Sequence, residues 1–490
     1  MNYRIIFNTL GKVALVLAAL LVLPMVLAAC LSESCWWAFA ITIGISASVG
    51  VILLFALKPK DKVFFSKEGL IIVSLAWIYV SAVGALPFVI SGAIPSYIDA
   101  LFETTSGFST TGATILTGER IESMAKGLLF WRSFTHWIGG MGVIVLVMAV
   151  MTGVSERGMH VLRAEMPGPT VDKIVPRARS TAKILYLLYI GFTVVEIIAL
   201  IIAGMPLFDS VVHAFGTAGT GGFGIKADSI ASYNPACQWI ITVFMVLFGV
   251  NFNLYYLLLL RKFRSAFSSR ELWIYGGVIV VSVVIVTINI TGNLPFTQTA
   301  GEGIRYAAFQ VVSFMTTTGY LTVPASSSIN DFPLLSKGLL FLLMFIGGCA
   351  GSTAGGLKVS RVALLFCSFK KELRRIIHPR NANAVRFEKK VISDDTLRSV
   401  NCYFGIYILI IAVVFFILCF DPVVNLTLEE NLTAAVSCLN NIGPAYGLAA
   451  NGYYMYSWLS KLVLTFAMVL GRLEIFPLIL TFSPSTWLKK

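Results

Sequence analysis

The stretch "SFMTTTGYLTV" (Ser313–Val323) sits between two long apolar runs, yet it is small, polar and flexible. It decides the fold because it has three partners. Set one beneath another, the chain reads "FETTSGFSTTGAT" (102–114), "VHAFGTAGTGGFG" (212–224), "FQVVSFMTTTGYL" (309–321) and "TAAVSCLNNIGPA" (433–445). Each has a small residue six positions before a glycine: Ser106 and Gly112, Gly216 and Gly222, Ser313 and Gly319, Ser437 and Gly443. The glycines recur at intervals of 110, 97 and 124 residues, so one unit occurs in four variants. Packing glycines are common in membrane helices, but they have no reason to keep one position between paired apolar runs four times over.

The flanking runs belong to a bilayer. Of 490 residues, 57% are apolar and 12% charged, and the mean hydropathy is +0.84, so lipid must solvate most of the chain. About ten segments match the ~20 residues a helix needs to cross: 13–30, 37–57, 69–90, 127–150, 183–204, 237–260, 272–292, 337–369, 399–420 and 457–482. After an N-terminal pair, read as a retained hairpin rather than a cleaved signal, they form four pairs with one loop inside each. Irregular backbone at membrane depth is stable only where protein or a water-filled cavity surrounds it. Four such loops therefore belong on a shared axis. The expected architecture is all-α and polytopic: a two-helix hairpin over 1–67, then helix–loop–helix repeats over 68–157, 158–265, 266–395 and 396–490.

The net charge of +13 does not call for nucleic acid. With the N-terminus in the cytoplasm, segments 1–12, 58–68, 151–183, 261–271, 361–398 and 489–490 hold 28 Lys/Arg and 10 Asp/Glu, against 6 and 12 on the outer side. That is the positive-inside asymmetry of a membrane topology. The acidic outer face raises the local concentration of cations. Eight cysteines show no CxxC or metal-type spacing, and no cofactor is expected.

The segments before the four glycines, about 97–108, 206–218, 299–315 and 427–439, are long enough for about three helical turns each. Half-helices descending toward an axis present carbonyl ends carrying about half a negative charge each. An extended strand of small residues then offers backbone oxygens, which replace the water shell of a cation. Glycine permits backbone angles at which successive carbonyls face one way, and a neutral lining favours a monovalent ion.

"TTGY" (317–320) is similar to the TVGY-type filter of potassium channels. The fourfold repeat, with "TTSGFSTTGAT", "TGGF", "TTTGY", "NNIGP", "GGCAGSTAGGLK" and "GRLE", resembles the Trk/Ktr/HKT superfamily of potassium transporters across residues 1–490. The N-terminal hairpin points to its TrkH/TrkG branch. The resemblance implies filter glycines at Gly112, Gly222, Gly319 and Gly443, with potassium-lining carbonyls on Thr110, Thr111, Thr220, Gly221, Thr317, Thr318, Asn441 and Ile442. Serine at the first filter glycine accompanies sodium permeability in this superfamily, so Gly112 implies potassium. "NNIGPA" lacks the threonines and departs most from the pattern.

Beneath the filter, "GGCAGSTAGG" (347–356) puts five glycines in ten residues of an overlong span, each weakening a helix by roughly 1 kcal/mol relative to alanine. The resemblance makes this a gating loop, with Gly347, Gly348, Gly351, Gly355, Gly356, Lys358 and Arg472 as its residues. Arg472 would face the pore, the alternative being snorkelling to the cytoplasm. The resemblance also implies TrkA-type cytoplasmic nucleotide-binding subunits, a homodimer, and a bacterial inner membrane with both termini cytoplasmic. The basic stretch "KKELRRIIHPR" (370–380) fits either such a partner or anionic membrane lipid. The chain itself has no nucleotide motif, and its scattered histidines do not indicate an enzyme. The competing reading is a proton- or sodium-coupled secondary transporter, with Glu196 as its main midplane acid.

Overall fold

The structure, a computed structural model, describes residues 2–57, 66–142, 178–324, 327–378, 385–388 and 390–487. The expected repeat boundary at 157/158, the end of the 127–150 span and most of the inner basic segments 58–68 and 151–183 lie outside the described residues.

Helices α1 (Tyr3–Cys30) and α2 (Trp36–Ala56) form the N-terminal hairpin. They approach closely at Gly11 and Gly50, where a Cβ on either would lie 3.0 Å from the other's carbonyl oxygen. Its turn docks on the first repeat through Glu33, whose carboxylate accepts the N–H groups of Lys126 and Gly127 at 2.7 and 2.9 Å. Repeat 1 comprises α3 (Ser66–Gly84), half-helix α4 (Tyr97–Phe108) and α5 (Lys126–Gly140). Repeat 2 comprises α6 (Ala178–Ile202), half-helix α7 (Leu207–Gly219), α8 (Pro235–Phe248) and α9 (Phe252–Leu259). Repeat 3 comprises α10 (Arg270–Ile290), half-helix α11 (Ala300–Met315), α12 (Leu334–Phe345) and α13 (Val359–Ile377). Repeat 4 comprises α14 (Asp394–Cys419), half-helix α15 (Leu428–Asn440), α16 (Trp458–Arg472) and α17 (Phe476–Phe482). A small antiparallel hairpin, β1 (Arg386–Phe387) and β2 (Lys390–Val391), joins repeats 3 and 4.

Every half-helix carries an acid in its first turn, Asp99, Asp209, Glu302 or Glu429 and Glu430, which complements the positive end of its dipole. Thr299 with Glu302, and Thr427 with Glu430, form reciprocal capping boxes. The burial pattern is that of a chain solvated by lipid. Apolar side chains such as Ile202, Leu334 and Phe420 are at least 80% exposed on the periphery, whereas Thr110, Thr111, Thr220, Thr317 and Thr318 of the loops are fully buried.

Ten uninterrupted crossings are not what the structure shows. Among the described residues six helices are each long and apolar enough to cross, and the 237–260 span bends by 89° between α8 and α9. At that break Gly249 has no room for a side chain, because the Tyr275 hydroxyl occupies the place of its Cβ. The second helix also breaks in repeat 3, between α12 and α13, and in repeat 4, where Glu474 and Ile475 adopt φ of 54° and 68°. Glycines near the ends of α5 and α16 press on the half-helix ends: a Cβ on Gly139 would meet the Phe108 carbonyl, and one on Gly471 the Leu439 carbonyl.

Candidate functional site

All four half-helices end in one cap. Thr111, Gly221, Thr318 and Ile442, each directly before its glycine, donate N–H bonds to the carbonyls of Ser106, Gly216, Ser313 and Ser437 at 2.9, 2.8, 2.9 and 3.0 Å. Those acceptors are the small residues that mark the repeat in the sequence. The preceding residues, Thr110, Thr220, Thr317 and Asn441, are left-handed, with φ of 58°, 54°, 55° and 57°. A left-handed residue followed by this bond is the Schellman ending of a helix. Gly112, Gly222, Gly319 and Gly443 follow at φ of 79°, 72°, 82° and 102°, while the residue between does not take positive φ. The first step of each loop is thus a helix cap, not the plain extended strand expected from sequence. Glycine or asparagine normally fills the left-handed position. A β-branched threonine there is strained, at about 1–3 kcal/mol per residue, and only a well-packed surrounding holds it.

The four glycines close a ring. A Cβ on Gly112 would strike the carbonyl oxygen of Gly221, one on Gly222 that of Thr318, and one on Gly319 that of Ile442; one on Gly443 would lie 2.6 Å from that of Thr111. The order runs from loop 1 through 2, 3 and 4 and back to 1. All twelve residues expected at the site therefore converge. Asn441 ties the ends of this order together, its Nδ2 donating to Thr111 Oγ1 and to the Met468 carbonyl, both at 2.9 Å. The loop that departs most in sequence follows the same backbone course. A vestibule of about 340 Å³ is lined by all four glycines.

Against the caps of the half-helices lies the glycine-rich loop. Gly347 N–H donates to the Leu357 carbonyl at 2.7 Å, closing the base of the loop between α12 and α13. Near its apex, Gly355 N–H donates to Thr317 Oγ1 at 2.6 Å, and a Cβ on Gly355 would meet the Asn440 carbonyl. The loop thus touches the caps of loops 3 and 4 from below. Gly348 packs on the Gly249 carbonyl, and Gly351 and Gly356 take φ of 75° and 65°. Lys358 folds back so that Nζ donates to the Ala354 carbonyl. Arg472 does not snorkel: Nη1 donates to the Thr353 carbonyl at 2.9 Å, and Nη2 to Gly139 and Gly140 at 2.5 and 2.7 Å. The cavity left between the loop, Gly140, Lys358, Arg472 and Glu474 is about 40 Å³.

A family model for TrkH, described as a cation transport protein, matches residues 37–489. This chain belongs to the TrkH family. It is 35% identical to the Trk system potassium uptake protein TrkH of Salmonella typhimurium, over 99% of this chain and 100% of that one. It is 33% identical to the Trk system potassium uptake protein TrkG of Escherichia coli, over 99% of each. The crystal structure of the potassium transporter TrkH from Vibrio parahaemolyticus superposes with a TM-score of 0.88 at 29% identity, covering 100% of both chains. The family is one of cation transporters, not enzymes, and the fold is the one expected.

Sequence reasoning missed the side chains that brace the ring in this TrkH-family protein. Glu103 and Arg132 form an ion pair at 2.6 Å with both side chains at most 2% exposed. Glu103 also accepts from Thr114 Oγ1 and the Ile115 N–H, while Arg132 donates to the Gly224 carbonyl and stacks 3.5 Å over the Phe223 ring. The pair therefore joins the segments that follow the glycines of loops 1 and 2. His136 is buried behind loop 2, with Nδ1 2.8 Å from the Gly107 carbonyl and Nε2 accepting from Phe223 N–H. The polarity of both residues inside an apolar span was the available signal. Glu271 was counted only as a topology charge.

Proposed function

We propose that this protein carries potassium ions into the cell through the ring of four loops, with that ring as selectivity filter and the 347–356 loop as gate. The observation that carries the reading is the closed cyclic order in which each glycine lies against the carbonyl just before the next glycine. Carbonyl oxygens so arranged replace a cation's hydration shell without a fixed countercharge, and a monovalent ion suits them. The relatives named above are potassium uptake proteins, which agrees with that choice. The residues lining the ion are those expected from sequence, from Thr110–Gly112, Thr220–Gly222, Thr317–Gly319 and Asn441–Gly443.

The gate reading rests on position. A loop bonded to Thr317 and braced by a guanidinium occupies the space directly beneath the ring, where it blocks an ion's exit to the cytoplasm. We further place the chain in a bacterial inner membrane with both termini cytoplasmic, as a homodimer on TrkA-type nucleotide-binding subunits. The charge asymmetry supports the orientation, and the repeat boundaries follow the helix pairing given above.

The test is reconstitution into liposomes with opposing potassium and sodium gradients, comparing the parent with Gly319→Ser. The expected result is potassium preference in the parent and its loss in the variant; equal permeation by both ions in both proteins removes the filter. Coupled transport keeps one observation in its favour: Glu196 is fully buried beside Thr217 of half-helix α7. If coupling runs through it, Glu196→Gln abolishes the response of uptake to a proton gradient. Under the channel reading, uptake ignores that gradient in both proteins.

A further inference from the structure

Glu271 is a buried carboxylate that the permeation pathway does not use. It stands in the first turn of α10, after the N-cap Ser269. One of its oxygens, Oε1, accepts the N–H of Ala350 at 2.8 Å and the N–H of Ser360 at 3.0 Å. Ala350 lies in the glycine-rich loop, and Ser360, ten residues on, lies in the first turn of α13. A single carboxylate oxygen thus ties the loop, at Ala350, to the first turn of α13, at Ser360.

Behind Glu271 the connection continues to the cytoplasmic side. Glu388 Oε1 accepts from Ser269 Oγ and from the N–H of Glu271, both at 3.0 Å. Glu388 sits at φ 50° in the turn of the β1–β2 hairpin. That hairpin is seated by Phe387 in a second small core with Leu364 of α13 and Leu397 and Val400 of α14. It therefore holds α13, which begins where the loop ends, as well as the helix end that carries Glu271.

We propose that Glu271 is the positioning residue that clamps the loop shut, and that the β1–β2 hairpin, through Glu388, is the handle whose displacement releases it. The inference rests on the gate reading above. Two carboxylates meet at one helix N-terminus, and each has donors: Ser269 Oγ and the Glu271 N–H for Glu388, and the N–H groups of Ala350 and Ser360 for Glu271. Pulling the hairpin away removes Glu388 from that helix end and frees Glu271 to turn from the loop. Regulation would then reach the pore without any regulator touching the ring.

The experiment measures potassium efflux from liposomes containing the full chain, with Glu271→Ala, Glu271→Gln, Glu388→Gln and Arg472→Ala made separately. The expected result is a basal flux raised about tenfold by Glu271→Ala, less by Glu271→Gln, which keeps an acceptor oxygen, and least by Glu388→Gln, with the potassium-to-sodium ratio unchanged in each. A cysteine placed at Ser352 is expected to react faster with a charged thiol reagent added from the inner side when Glu271 is replaced. If Arg472→Ala raises flux and well-folded Glu271 variants do not, the clamp is wrong and the gate stands. If none raises flux, the gate reading and the clamp fall together. A changed ion ratio in Glu271→Gln makes the residue a support of the ring, which also overturns the proposal. Should Glu271→Ala not fold, Glu271→Gln carries the same readouts.

Discussion

The ring and the loop beneath it are both built on glycine, and they are held in opposite ways. The ring repeats one backbone device four times, with equivalent cap bonds of 2.8 to 3.0 Å and a side-chain-free position in each loop. The loop occurs once, and ionisable side chains grip its backbone: Glu271 and Arg472 from two other places, and its own Lys358. A pathway for ions needs equivalent neutral oxygens around an axis, which repetition supplies. A barrier that must open needs bonds that one displacement can undo, and charged side chains at the edge of a span provide them.

This contrast is sharpest where the ring does use charge. Removing one partner of a buried ion pair costs about 3–5 kcal/mol, because the other is left uncompensated. Arg132→Ala is therefore expected to destabilise the protein by that amount and to lower potassium selectivity, read as thermal unfolding in detergent together with reversal potentials. A variant of full stability with normal selectivity would show that the ring holds itself. Gly319→Ser follows in size: a left-handed non-glycine residue adds about 1–3 kcal/mol of strain, and its side chain pushes on the Ile442 oxygen. Selectivity should fall while the gate stays closed. Arg472→Ala has the reverse signature, since hydrogen bonds from a charged donor are worth about 1.5–3 kcal/mol each and three carbonyls lose theirs. Basal flux should rise tenfold or more with selectivity intact. If either variant changes both properties, the division between ring and loop fails.

What the sequence made legible follows the same line. Four copies of a weak pattern, a small residue and a glycine six apart, placed the half-helices within a few residues of α4, α7, α11 and α15, because repetition lifts a signal no single loop carries. The density of glycine marked the loop for a similar reason. Gly249 stands as one glycine in an apolar run, and the local mark of its 89° bend is Asn251 two residues on, which caps α9. Glu103 and Arg132 are 29 residues apart, and their pairing depends on how α4 and α5 cross. Glu271 lies beside Arg270 at the end of a span, where an acid reads as topology and its grip on Ala350 and Ser360 is invisible.

Asn441 also changes what the fourth loop means. From sequence its lack of threonine set it apart, yet it is the one residue of the four suited to the left-handed cap, while Thr110, Thr220 and Thr317 hold that conformation against their β-branching. Strain of this kind persists where surroundings enforce it and the geometry serves a function. Thr110 offers a clean probe, because its buried hydroxyl makes no hydrogen bond among the described residues. Thr110→Gly removes the conflict between side chain and backbone and is expected to stabilise the protein by up to about 1 kcal/mol, offset in part by the added freedom of the unfolded chain. Its carbonyl stays in place but less firmly held, so the potassium-to-sodium ratio should drop by a factor of two to five, roughly 0.4 to 1 kcal/mol. A stabilised variant with an unchanged ratio would mean that threonine at the cap is tolerated rather than required. The smaller effect thus separates the backbone shape, which the four loops share, from the side chain, which the fourth does not.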